Sequence, residues 1–132
     1  MIKKIDHIGI VVRDIDKAVK IYVDKLGLKL LRTEVSDVYN VKIAFIPCGE
    51  VLIELLQPIG PGMNQDFLNE TGGGIHHIAY VVDDVEECFT TMKKELKVKE
   101  EGIKPGAGRS RIFFLDPSVV DNVETEFMEL AK

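Results

Sequence analysis

"VLIELLQP", residues 51–58, is an apolar run holding a single charged residue, Glu54. A carboxylate stripped of water there costs on the order of several kcal/mol unless a partner or a metal ion offsets the loss. The plainer reading is an edge strand with Glu54 turned to solvent. Two further apolar runs, "IDHIGIVV" and "IHHIAYVV", hold histidines. Two imidazoles with two carboxylates bind a divalent transition ion well, and the carboxylates neutralise its charge. Four such ligands leave two of six octahedral positions open, a chelating seat for a substrate with neighbouring oxygens.

An internal repeat selects the residues. "IDHIGIVVRD" (5–14) set over "IHHIAYVVDD" (75–84), at an offset of 70, is identical at six of ten positions. His77 is therefore the counterpart of His7. Alternation along a strand puts His7 on a face with Ile5, Gly9 and Val11, opposite Ile8, Ile10 and Val12. His77 shares its face with small Ala79, whereas His76 turns the other way and reads as structural or surface. Aligning Ile53-Glu54-Leu55 on Thr125-Glu126-Phe127 makes Glu126 the mate of Glu54, at an offset of 72. Glu124, on the same face, is the rival ligand. The expected metal set is His7, Glu54, His77 and Glu126.

The elements that must carry these residues also occur twice. Asp14 reads as an N-cap for a helix with Ile15, Ala18, Val19, Tyr22, Val23 and Leu26 at helical spacing, closed by Gly27. Asp84, with Glu87 three residues on, opens a second helix striped by Val85, Cys88, Phe89, Met92 and Leu96. Three strands are expected after each: "LKLLRTEV", "VKIAFIPC" and "EVLIELLQ", then "VKEEG", "SRIFFLD" and "NVETEFMEL". The Gly- and Pro-rich stretch between the halves has room for a short helix around 66–70. The prediction is an α+β fold: two tandem βαβββ modules, about 3–57 and 75–131 with a linker over 58–74. They are expected to form one domain over 1–132, a curved, cleft-lining mixed sheet with helices outside. A half of about 60 residues is marginal alone.

The chain has 132 residues, 45% hydrophobic and 30% charged, with 17 basic against 22 acidic side chains for a net charge of −5. That balance argues against nucleic acid or an anionic membrane as partner. Cys48 and Cys88 lack metal-ligand spacing and read as buried free thiols of a cytoplasmic protein. No apolar run reaches membrane-spanning length, and the N-terminus does not read as a signal peptide.

"KIDHIGIVV", "KIAFIPCGEVLIELLQP", "GGGIHHIAYVVDDVEE" and "GIKPGAGRSRIFFLDP" together resemble the vicinal oxygen chelate superfamily, which includes glyoxalases, bleomycin-resistance proteins and dioxygenases. Within it the chain is most similar to methylmalonyl-CoA epimerases. The resemblance implies metal ligands at His7, Glu54, His77 and Glu126. It also implies one divalent ion (cobalt, nickel, manganese or zinc), a small-molecule thioester substrate, and a homodimer. The implied chemistry is epimerisation through α-proton abstraction and a stabilised enediolate, with Glu126 and Glu54 as catalytic carboxylates. Some epimerases carry a glutamate on the third strand where this chain has Lys42, which leaves Lys42 to bind a carboxylate or move a proton. Lys104, Arg109 and Arg111 in "KPGAGRSR" are expected to contact CoA phosphate or carboxylate groups. Family members read His-Pro-Lys and a glycine pair before the last strand; this chain reads "DPSVVDN".

Glyoxalase I, a lactoylglutathione lyase acting on a glutathione adduct, shares the ligand types and is the competing enzyme. A dioxygenase, with two histidines and one carboxylate at iron, fits less well. A metal-free binding protein of the bleomycin-resistance type would not need all four ligands.

Overall fold

The computed structural model describes residues 1–131. In chain order the elements are β1 (Ile2–Val11), α1 (Ile15–Lys20), β2 (Arg32–Ser36), β3 (Val41–Cys48), β4 (Val51–Pro58), α2 (Met63–Thr71), β5 (Gly74–Val82), α3 (Val85–Glu95), β6 (Lys104–Pro105), β7 (Arg111–Phe114) and β8 (Glu124–Glu129). α1 widens into a π-helical turn over Ile21–Lys25. The fold is α+β, and the βαβββ order occurs twice, as predicted. Among the described residues no helix is long and apolar enough to cross a membrane.

The chain divides into two compact units. One is His7–His76; the other is Met1–Asp6 with His77–Lys132. In the first, the strand order is β2-β3-β4-β1, with β1 parallel to β4 and the other pairs antiparallel. In the second, the order is β5-β8-β7-β6, with β5 parallel to β8 and the rest antiparallel. The duplication read from sequence is thus a duplication of topology.

Each helix is fixed at its start in the same way. The Asp14 carboxylate accepts from the Asp16 and Lys17 N–H groups, and the Asp84 carboxylate from those of Glu86 and Glu87. The free N–H at the next position is taken by a side chain from the last strand of the same unit. Ile15 N donates to Gln57 Oε1 at 2.8 Å, and Val85 N to Glu129 Oε1 at 3.0 Å. Gln57 and Glu129 each lie three residues beyond Glu54 and Glu126. An odd spacing sends them to the opposite face, so the bond that anchors the helix also leaves each glutamate facing away from it.

The helix-side cores follow from the apolar stripes. Ile15, Ala44, Ile46 and Leu55 are buried together beneath α1, with Ala18, Val19 and Tyr22 packed on them. Val82, Val85, Cys88, Phe113, Leu115 and Phe127 form the matching cluster beneath α3. Each large aliphatic or aromatic side chain buried there stabilises by about 1.5–3 kcal/mol. Helix α2 behaves differently. Its Leu68 packs with Val11, Val41 and Leu56, on the other face of β3 and β4.

Several expectations need correction. "VKEEG" is not a strand: Val98 makes one bridge to Leu115, and the chain then turns, with Gly102 N donating to Lys99 O. A run of acidic residues closed by glycine at φ 63° favours that turn over a ladder. In the first half only Arg32 onward is strand, since Gly27 at φ 78° ends the helix and Leu28 N still bonds back to Tyr22 O. Leu26, expected on the apolar stripe, is 60% exposed. Cys48 is exposed; Cys88 is buried, and that burial raises its thiol pKa.

Gly73 leads into β5 at φ 105°, and a Cβ there would stand 2.8 Å from the Val11 carbonyl oxygen. Gly73→Ala is therefore expected to cost about 2 kcal/mol, read as a fall in Tm on the order of 5–10 °C. An unchanged melting curve would show that this close approach is not required.

Candidate functional site

In the first unit, β1 and β4 run parallel with His7 opposite Leu52 and Gly9 opposite Glu54. His7 and Glu54 therefore share a face, with only the hydrogen side chain of Gly9 between their positions along β1. His7 Nδ1 lies 3.4 Å from Glu54 Oε2, and the two side chains are 9% and 14% exposed. The edge-strand alternative for Glu54 fails, because β4 lies between β1 and β3. Phe45, opposite Glu54 on β3, contributes an aromatic ring to the same face.

The second unit repeats this with different neighbours. β5 and β8 are parallel, His77 stands opposite Glu124, and Ala79 stands opposite Glu126. Glu126 is buried at 7% exposure, and its carboxylate and a His77 ring nitrogen lie within 4.8 Å of each other. Phe114 stands opposite Glu126 on β7, as Phe45 does opposite Glu54. Ala79, Val81, Ile112, Phe114 and Met128 form a small buried cluster on this face. Each histidine thus has one glutamate beside it, in one register, on an apolar surface.

His76 is a core residue. It is 4% exposed and meets the Phe67 ring edge-on at 4.9 Å. The rival ligand Glu124 is engaged elsewhere, with Lys99 Nζ 2.7 Å from its Oε2.

The remaining candidates divide by face. Lys42 stands opposite Gln57 and alternates with Phe45, so it occupies the helix side of β3, turned away from Glu54. Its expected catalytic role is not supported, because strand parity allows only one of Lys42 and Phe45 on the site face. Arg111 likewise lies on the helix side, where its guanidinium meets Glu86 Oε1 at 2.7 Å; this hydrogen bond raises the pKa of Arg111. Arg109 is exposed on the turn Ala107–Arg109. Lys104 does lie on the site side: it is opposite Ile112, its Nζ is 5.4 Å from the Phe114 ring centroid, and it pairs with Glu101 at 2.9 Å.

Sequence reasoning missed Lys99. Its signal was the apolar-polar alternation of Val98 and Lys99 beside Leu115 and Phe114, hidden by reading the whole segment as one strand.

The sequence and the fold are similar to those of known proteins. The chain is 33% identical over 121 residues to an ethylmalonyl-CoA/methylmalonyl-CoA epimerase of Cereibacter sphaeroides, covering 89% of this chain and 90% of that one. A hypothetical protein from Bacillus halodurans C-125 superposes with a TM-score of 0.92 at 38% identity, over 98% of this chain and 95% of that one. A substituted methylmalonyl-CoA epimerase of Streptomyces coelicolor, in complex with 2-nitronate-propionyl-CoA, superposes with a TM-score of 0.88 at 29% identity, over 99% and 96%. The family model that matches covers residues 6–114, from the start of the His7 segment through β7. With the paired topology and most of the chain inside that match, this protein belongs to the Glyoxalase/Bleomycin resistance protein/Dioxygenase superfamily.

Proposed function

We propose that the chain is a metal-dependent epimerase of a CoA thioester, with methylmalonyl-CoA as substrate. In this reading His7, Glu54, His77 and Glu126 ligate one divalent transition ion. The carrying observation is that one histidine–glutamate half-site occurs twice, at the same register, each time on a largely buried face. The donor set fits such an ion: two imidazoles, two carboxylates that match its charge, and surroundings where an uncompensated carboxylate would be costly. Bound there, the ion supplies positive charge for the thioester oxygen on which negative charge grows as the α-proton leaves.

The chain's own residues supply the rest. The Glu126 carboxylate takes the α-proton, in a position where Phe114 and Met128 exclude water and strengthen its electrostatic interactions. Inversion needs a donor on the opposite side of the α-carbon. Glu54, the equivalent residue of the other half-site, fills that role in its protonated, carboxylic acid form and takes a proton back from solvent before the next turnover. Gly9 and Ala79 leave room beside the histidines for the acyl group. Lys104 and Arg109 serve the CoA phosphates, while Arg111 stays with Glu86. The same reading makes residues 1–132 one domain, acting in the cytoplasm as a homodimer. The epimerase relatives support a thioester substrate at the level of the family.

The test is incubation with methylmalonyl-CoA in deuterated water with cobalt or nickel supplied. Deuterium is expected at C2, lost on chelation and retained by Lys42→Ala. Turnover of the methylglyoxal–glutathione adduct with no exchange into methylmalonyl-CoA would instead assign the lyase reaction.

A further inference from the structure

We infer that Lys99, held in place by Glu124, recognises the free carboxylate of the acyl group; this rests on the thioester reading above. Lys99 Nζ lies 2.7 Å from Glu124 Oε2, with the side chains only 24% and 18% exposed. Glu124 stands directly opposite His77, two residues before Glu126 on the same face. The same ammonium lies 5.0 Å from the centroid of Phe114, the ring opposite Glu126. One cation thus touches the neighbour of each residue of the half-site. Its backbone is fixed as well, since Lys99 N donates to Phe114 O at 2.9 Å and Val98 bridges Leu115.

This arrangement suits an anion that arrives next to the reacting carbon. An ammonium has three N–H donors, and its ion pair with Glu124 leaves donors to spare. These can bond a ligand carboxylate without displacing Glu124. Because Glu124 and the Phe114 face already hold the side chain, little rotamer freedom remains to be lost on binding. Without Lys99 this face would meet the ligand with the carboxylates of Glu124 and Glu126, and like charges repel. Lys97, by contrast, is 70% exposed and pairs with Asp116. Lys99 is therefore a specificity-determining residue that separates malonyl-type thioesters from those with uncharged acyl groups.

Calorimetric titration of the cobalt-loaded protein with malonyl-CoA, malonyl-pantetheine and propionyl-CoA tests this. Lys99→Met is expected to weaken both malonyl thioesters about 30-fold, the worth of a charged hydrogen bond. It should leave propionyl-CoA within about twofold. Lys99→Arg, which keeps the charge, should hold malonyl binding within about fivefold and covers the case in which the methionine variant folds poorly. Equal weakening of malonyl-CoA and propionyl-CoA, or loss confined to the two CoA ligands with malonyl-pantetheine unaffected, would overturn the inference, the latter pointing to CoA phosphate. If the unaltered protein binds none of the three, the thioester reading itself fails. Binding of all three with no discrimination by Lys99→Met removes only the role of Lys99.

Discussion

Glu126→Gln is expected to lower metal-supported deuterium incorporation into methylmalonyl-CoA about a thousandfold, the usual contribution of a positioned acid–base group. Glutamine keeps the volume and an oxygen donor but cannot accept the α-proton. The loss should therefore fall on kcat, with KM and metal content much less affected. Burial sharpens the expectation. At 7% exposure, among Phe114, Ala79 and Met128, Glu126 has little access for a water molecule to take over the proton. Mass-spectrometric exchange rates, with metal content measured on the same samples, check the result. Wild-type exchange in the glutamine variant would show that another group takes the proton.

The features legible in the sequence were those carried by the repeat. His7 with His77 and Glu54 with Glu126 could be paired because both copies had to keep one strand parity, and parity decides which face a side chain occupies. The structure places Gly9 opposite Glu54 and Ala79 opposite Glu126, so the register behind that pairing holds in both units. The same parity rule, applied to β3, would have turned Lys42 away from Glu54; a family position was followed instead of the alternation Lys42, Ala44, Ile46. Arg111 was expected in a glycine-rich loop, whereas it starts β7 and alternates there with Ile112 and Phe114. Other features depended on long-range contacts that no local pattern encodes. The caps from Gln57 and Glu129 cross 42 and 44 residues. The turn after Lys99 wins over a strand because its acidic residues gain nothing from pairing, and that is visible only once the edge of β7 is known. Helix α2 was expected only as a short linker element, and its apolar side chains did not reveal which face of the sheet they would cover.

His7→Ala and His77→Ala should each weaken cobalt binding by about 100-fold or more, and by similar amounts. Loss of supporting contacts around a metal ligand already costs about 10–100-fold, and loss of the ligand itself should cost at least as much. The similarity is the sharper part of the expectation. The two histidines occupy equivalent strands, each beside one glutamate; His7 stands opposite Leu52 with Gly9 next on its face, and His77 opposite Glu124 with Ala79 next. Thermal denaturation with and without cobalt gives a direct readout. A ligand at 1,000 times its Kd stabilises the folded state by about 4 kcal/mol, so a 100-fold weaker site forfeits most of that increment. His76→Ala is the necessary comparison. It removes a buried ring that packs against Phe67 and should lower the Tm without metal, yet leave the cobalt-induced increment intact. If only one of His7 and His77 mattered to the metal, two equivalent half-sites could not be sharing one ion. If His76→Ala abolished the increment instead, the assignment of the second histidine would pass from residue 77 to its neighbour.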